Sequence, residues 1–80
     1  MTEREKQIGQ AILSIMDHGG PHTTAMHAVT SKLKDIKIED SPDRTYRFLE
    51  QLGLITTMPA GEHFPNTTLG RITYRGTQAM

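Results

Sequence analysis

The sequence predicts an α+β fold in which three helices are followed by a two-stranded antiparallel hairpin. Apolar residues recur at intervals of three and four through the first two thirds of the chain, which is typical of helices with one buried face. Two short segments rich in β-branched and apolar residues then follow, separated by Pro, Gly and Asn, which is typical of a hairpin.

The first helix is expected over residues 3–17. Thr2 and Glu5 have the spacing of a capping box, in which the two side chains and backbone N–H groups bind reciprocally. The apolar face of this helix contains Ile8, Ala11, Ile12 and Ile15. Gly19-Gly20-Pro21 ends the helix, because Gly accepts a left-handed backbone and Pro cannot donate to the helical hydrogen bonds.

A second helix is expected over residues 24–34, with Thr23 or Thr24 as its N-cap. Its buried stripe contains Ala25, Met26, Val29 and Leu33. Lys32 and Lys34 lie off this stripe. The segment from Asp35 to Asp40 alternates isoleucine with charged residues, which favours a short strand or an extended loop.

A third helix is expected over residues 42–52. Ser41 is the predicted N-cap, Pro42 the first helical residue, and Asp43 a carboxylate near the positive end of the helix dipole. One side of this helix carries Thr45, Leu49 and Leu52, with Phe48 near them, and the opposite side carries Arg47, Gln51 and Asp43, with Arg44 towards one edge. Gly53 ends the helix.

Residues 54–58 and 69–75 are expected to pair as the antiparallel hairpin. Side chains alternate between the faces of a strand, so Arg71 and Arg75 are expected on one face and Ile72 and Tyr74 on the other. His63 and Asn66 lie in the turn-forming segment at the tip.

The predicted core contains Ile8, Ile12, Ile15, Val29, Leu33, Leu49, Leu52 and Ile72. Leu13 points away from the apolar face of the first helix and Met16 lies at its edge. These two side chains form either a partner surface or ordinary packing from a second side.

Two segments resemble the winged helix-turn-helix superfamily, which includes the MarR and PadR types of bacterial regulator. The sequence from Arg44 to Ile55, ending in LEQLGLI, is similar to a recognition helix that runs into the first wing strand. The sequence from Ile72 to Gly76 is similar to the segment that closes the wing. The resemblance implies one winged-helix domain over residues 1–80, with a two-stranded wing, that binds double-stranded DNA.

The sequence departs from this superfamily in two places. The segment from Asp35 to Asp40 makes the connection between the second and third helices longer than usual. The sequence also leaves no room for the long terminal helix by which many MarR-like proteins dimerise, so a homodimer is expected to use another surface. One module of this size buries little surface on DNA, and useful specificity would need a homodimer or a protein partner.

The function expected from this resemblance is sequence-specific DNA binding by a small, non-enzymatic transcriptional regulator of bacterial or viral type. Arg47 and Gln51 lie one helical turn apart, and these residue types form paired hydrogen bonds with guanine and adenine. Arg71 is expected to contact the DNA backbone. The full set of expected contacts is Arg44, Thr45, Arg47, Gln51, Lys32, Lys34, His63, Asn66, Arg71 and Arg75.

A simpler interpretation of these residues is that they only solvate a helix face and a hairpin. The alternative function is a winged helix used as a protein-interaction module, such as a small inhibitor or adaptor of a larger enzyme. The net charge of zero favours this alternative, and the placement of the arginines opposes it. A salt titration of duplex binding distinguishes the two.

Composition excludes several other classes. The sequence contains no cysteine, which removes disulfides and thiol chemistry. Neither a metal site at His18, His22 and His27 nor any other cofactor is expected, because the spacing matches no zinc pattern. No catalytic motif is present.

The longest apolar run, Ala11 to Leu13, is too short for a signal peptide or a membrane span, so a cytoplasmic protein with no membrane partner is expected.

Overall fold

The computed structural model describes residues 2–19 and 22–80, so Gly20 and Pro21 of the predicted helix stop lie outside the described residues. The elements in chain order are α1 (Glu3–His18), β1 (Thr24–Ala25), α2 (Met26–Asp35), α3 (Asp43–Gln51), β2 (Ile55–Pro59), β3 (Thr68–Ile72) and α4 (Tyr74–Gln78). The α+β class, the three predicted helices and the antiparallel hairpin are confirmed. The described part also contains a third strand and a fourth helix, which the sequence did not predict.

The three strands form one antiparallel sheet in the order β1-β3-β2. Strand β3 is central because it pairs with Thr24–Ala25 on one edge and with all of β2 on the other. This pairing corrects the predicted start of α2. Thr24 and Ala25 are extended, and Ala25 is the N-cap without a side-chain hydrogen bond, so neither Thr23 nor Thr24 is the cap.

The segment after α2 is a loop, and the alternative prediction of a strand is wrong. Lys37 has a φ of 69°, in the left-handed region. The backbone N–H of Lys37 donates to the Lys34 carbonyl at 3.0 Å, and that of Ile38 donates to the Leu33 carbonyl at 2.9 Å. This is a Schellman motif, which satisfies the last carbonyls of α2 and turns Ile38 back against the core.

Helix α3 begins one residue later than predicted. Pro42 is its N-cap, with no side-chain cap hydrogen bond, so the predicted cap at Ser41 is wrong. The Pro42 carbonyl accepts from the Tyr46 N–H at 2.9 Å, and Asp43 supplies the predicted carboxylate in the first turn. Near this start, the guanidinium of Arg4 in α1 donates to the Asp40 carboxylate at 2.9 Å, which lowers the pKa of Asp40.

Strand β3 ends at Ile72, so the predicted strand to residue 75 is wrong. Thr73 begins a helix because its hydroxyl accepts the N–H of Gly76 at 3.0 Å. Gly76 is required there, because a Cβ at this position would overlap the Leu54 carbonyl oxygen. Tyr74 and Arg75 therefore belong to α4.

The core lies between α1, α2, α3 and one face of the sheet. Its buried apolar residues are Ile8, Ile12, Leu13, Met16, Met26, Val29, Leu33, Leu49 and Ile55. Leu13 and Met16 are ordinary packing from a second side of α1. Ile15 and Ile72 pack only at the edge of the core. Leu52 was predicted in the core and is 48% exposed, because it follows the last residue of α3 and is its C-cap.

Leu49 and Leu52 provide a matched test of this core assignment. Leu49→Ala is expected to lower the free energy of unfolding by about 2–5 kcal/mol, the range for truncating a buried leucine. Leu52→Ala removes the same atoms from an exposed side chain and should cost less than about 1 kcal/mol. Urea unfolding followed by circular dichroism measures both. Equal losses in the two variants would contradict the observed phase of α3.

Candidate nucleic-acid interface

The exposed face of α3 carries Asp43, Arg47, Glu50 and Gln51. It lies opposite the buried side chains of Thr45 and Leu49, which attach α3 to the core. We call these four exposed residues the outer face of α3. The prediction that Thr45 contacts DNA is wrong, because its side chain points into the core and only 2% of its surface is exposed.

A hydrogen bond attaches one flank of α3 to α2. The Tyr46 hydroxyl lies 2.8 Å from the Thr30 hydroxyl oxygen, and the Thr30 hydroxyl donates to the Met26 carbonyl at 3.1 Å. Since Thr30 has a single hydroxyl hydrogen, Tyr46 is the donor between the two hydroxyls. Burial raises the pKa of Tyr46 above the ordinary tyrosine value, so the hydroxyl remains a donor further into the alkaline range.

A second hydrogen bond attaches the C-terminal end of α3 to the hairpin. The Thr57 hydroxyl in β2 donates to the Glu50 carboxylate, at 2.8 Å from Oε2. Glu50 is thereby turned towards β2 and away from the middle of the outer face of α3. With Tyr46 held by α2 and Glu50 held by β2, the helix is fixed in rotation about its own axis.

A groove of about 450 Å³ lies between α2, α3 and the inner side of the β2–β3 hairpin, which is the side that faces the core. We call it the α3 groove. Its lining residues are Met26, His27, Thr30, Asp43, Tyr46, Arg47, Glu50, Thr57, Asn66 and Thr68. Arg47 is the one basic side chain among them that is always charged, and it lies with two carboxylates. No ion pair in the described part of the chain involves Arg47.

The hairpin tip, residues 60–67, is held by its own backbone. The Ala60 N–H donates to the Thr67 carbonyl at 3.0 Å, and the Thr67 N–H donates to the Phe64 carbonyl at 3.1 Å. Gly61 has a φ of 112°, which permits the first turn of the tip. Asn66 reaches the α3 groove, whereas His63 is exposed outside it.

Arg44 lies on the flank of α3 that faces α1. Its Nε is 3.5 Å from Oε2 of Glu5, and its guanidinium lies 5.4 Å from the centre of the Phe48 ring. A hydrogen bond from the Thr2 backbone N–H lowers the pKa of Glu5, and the charge of Arg44 adds to this effect. Arg44 therefore links α1 to α3, and Arg47 is the arginine that remains on the outer face.

The structure separates the two arginines that were predicted side by side on the last strand. Arg75 lies in α4, and its Nη1 donates to the Leu52 carbonyl at 3.3 Å, so its predicted place on the wing is wrong. Arg71 is exposed in β3 opposite Thr56 of β2. Strand alternation puts Arg71 on the outer side of the sheet, while Thr57 and Thr68 line the α3 groove on the inner side.

The two predicted lysines also lie apart. Lys34 is exposed and lines neither groove, whereas Lys32 lines a second groove between α1 and α2. Of the ten residues predicted to contact DNA, the structure thus brings Arg47 and Asn66 to one groove and leaves Gln51 beside it on the outer face of α3.

Sequence reasoning did not select Tyr46 and Glu50, which position α3. The phase of the helix contained a signal for Glu50, because it follows Arg47 by three residues and lies on the same face. Tyr46 lies on the flank between the buried and exposed faces. Its role depends on Thr30, which lies on a different helix.

Within residues 2–19 and 22–80, no group of three His, Asp or Glu side chains is arranged to hold a metal ion. Over the same residues, no helix combines the length and apolar character needed to cross a membrane. Comparison of the chain with protein-family models, with curated proteins and with solved structures gives no match.

The hydrogen bond between Tyr46 and Thr30 is expected to stabilise the placement of α3. Tyr46→Phe should lower the free energy of unfolding by about 0.5–1.5 kcal/mol, because it removes a half-buried donor while keeping the ring. Tyr74→Phe is the matched control, since the Tyr74 side chain is 81% exposed, and it should change stability by less than about 0.5 kcal/mol. Thermal or urea unfolding measures the free energy of unfolding of both variants. If Tyr46→Phe loses no more stability than Tyr74→Phe, the hydrogen bond contributes nothing.

Proposed function

We propose that this chain is a winged helix-turn-helix protein that binds double-stranded DNA sequence-specifically as a small cytoplasmic transcriptional regulator. In this proposal α3 enters the major groove and the β2–β3 hairpin is the wing. The observation that carries the proposal is the outer face of α3, where Arg47 and Gln51 project from a helix that is held on both flanks.

The order of the elements supports this assignment. A helix, a short strand, two further helices and a hairpin follow one another, and the hairpin lies directly after the third helix. The chain passes from α3 into β2 through Gly53, so the helix and the wing have a fixed relation to each other. A major groove accommodates one helix, and a hairpin beside that helix reaches the adjoining backbone.

The chemistry of Arg47 fits base recognition. Arginine forms paired hydrogen bonds with O6 and N7 of guanine, and glutamine does so with N6 and N7 of adenine. Because no ion pair occupies Arg47 in the described residues, its guanidinium is free to form these bonds without losing an existing partner. Gln51 lies one turn further along α3, in reach of a neighbouring base pair.

The wing and α2 supply groups for the DNA backbone. Asn66 and His63 are exposed at the hairpin tip, and Lys34 is exposed on α2. Amide, imidazole and ammonium groups donate to phosphate oxygens, and such contacts set the register of the protein without reading sequence. With a net charge of zero, few phosphate contacts are expected, and specificity depends on the side chains of α3.

A second candidate function, a protein-interaction module, is favoured by the outer side of the sheet. Ala25, Leu69 and Met58 are register partners across the three strands and form an apolar row. Met58 is 51% exposed, and Phe64 at the hairpin tip is 61% exposed. Exposed apolar patches of this kind are typical of protein contacts. This surface lies on the side of the sheet that carries Arg71.

The DNA-binding proposal is tested by selecting bound duplexes from random sequence and then comparing two arginine variants on the best site. Arg47→Ala should weaken binding by about 1–3 kcal/mol and relax the preference at one base position. Arg71→Ala removes the same charge from the wing, where we expect Arg71 to contact the DNA backbone. It should weaken all duplexes alike and reduce the salt slope by about one, without relaxing the preference at any base position.

A salt titration and one further variant separate the two candidate functions. DNA binding should weaken with added salt with the shallow slope of a few phosphate contacts, whereas apolar docking of a protein on the sheet should not weaken at all. Met58→Gln, which removes apolar surface without adding a charge, should leave duplex affinity nearly unchanged. If no duplex is selected, or if Arg47→Ala binds the selected duplex as tightly as the wild type, the DNA-binding proposal is wrong.

A further inference from the structure

A second groove, of about 400 Å³, lies between α1 and α2, and we call it the α1–α2 groove. Its lining residues are Ala11, Ser14, Ile15, His18, Lys32, Asp35 and Ile36. Ala11 and Ile15 pack on the edge of the core, and Ile36 is 55% exposed at the rim. Covering these side chains would remove apolar surface from water, which favours association.

The charges of this groove make it complementary to a second copy of itself. Lys32 and Asp35 line it together, three residues apart on α2, which is about 4.5 Å along the helix axis. Neither forms an ion pair with any other side chain among residues 2–19 and 22–80. A surface that carries one positive and one negative charge beside an apolar strip satisfies both charges when it faces its own copy.

We propose that two copies of this chain associate through the α1–α2 groove as a symmetric dimer. The two-fold axis crosses α2 between Lys32 and Asp35, so that Lys32 of each copy faces Asp35 of the other. A two-fold interface repeats every contact, so both charges of each copy are paired. The same arrangement brings the exposed Ile36 of each copy into the interface.

This dimer leaves the outer face of α3 exposed. Thr30 of α2 contacts Tyr46 of α3, whereas Lys32 lies two residues further on, about 200° around the helix. The α1–α2 groove is therefore on the flank of α2 that faces away from α3. The dimer does not depend on the proposed DNA binding, since it is measured on the protein alone.

The test is a charge reversal measured by sedimentation velocity over a series of protein concentrations. The wild type should self-associate. Lys32→Glu and Asp35→Lys should each raise the dimer Kd by about tenfold or more, because each variant sets like charges against each other at two symmetric contacts. An equimolar mixture of the two variants should associate again, because opposite charges then face each other at both contacts.

Lys34→Glu is the matched control, since it makes the same change on α2 outside the groove and should leave the dimer Kd unchanged. Recovery in the mixture also excludes misfolding of the single variants as the cause of their loss. A wild type that stays monomeric at every concentration would overturn the proposal and leave a different protein as the occupant of the groove. Association that survives either reversal, or that does not return on mixing, would overturn it equally.

Discussion

The turn at Gly53 holds together the half of the protein that carries the candidate site. Gly53 has a φ of 75°, and its N–H donates to the Glu50 carbonyl while that of Leu54 donates to the Leu49 carbonyl. The carbonyl of Gly53 accepts the Thr73 hydroxyl at 2.6 Å, and the carbonyl of Leu54 accepts the Thr73 N–H at 3.0 Å. One turn thus joins α3, β2, the end of β3 and the start of α4.

This turn explains why Arg75 has a structural role. The last carbonyls of a helix need donors, and the negative end of the helix dipole favours a cation. Arg75, in the first turn of α4, supplies both a donor and a positive charge, because its guanidinium donates to the Leu52 carbonyl. Because Thr73 starts α4 at that point, β3 cannot continue to residue 75. The charge of Arg75, which was expected on the wing, lies instead at the end of α3.

The position of α3 follows from three attachments of different kinds. Leu49 and Thr45 fix which side is buried, the Tyr46 hydroxyl fixes the flank that faces α2, and Glu50 fixes the distance to β2. These attachments leave Arg47 and Gln51 as the side chains with freedom to contact a ligand. The α1–α2 groove lies on the other flank of α2, so recognition and self-association would use separate surfaces.

The sequence by itself determined the features that depend on neighbours within a few residues. The capping box of Thr2 and Glu5 is present with both hydrogen bonds, at 3.0 and 3.1 Å. Helical phase placed Leu49 inside and Arg47 outside, because the period of a helix is a local property.

Only the tertiary structure decided what each surface faces. Thr24 and Ala25 form a strand because Gly70 and Leu69 lie beside them, and a two-residue segment carries no periodic signal of its own. Helical phase separates Lys32 from Lys34 by about 200°, but the packing of α1 against α2 decided that Lys32 is the one that lines the α1–α2 groove. Strand parity placed Arg71 opposite Ile72, but the position of α3 against the inner side of the sheet decided that Arg71 and Arg47 point to different surfaces. A periodic pattern gives the direction of a side chain relative to its own element, and long-range contacts determine what lies in that direction.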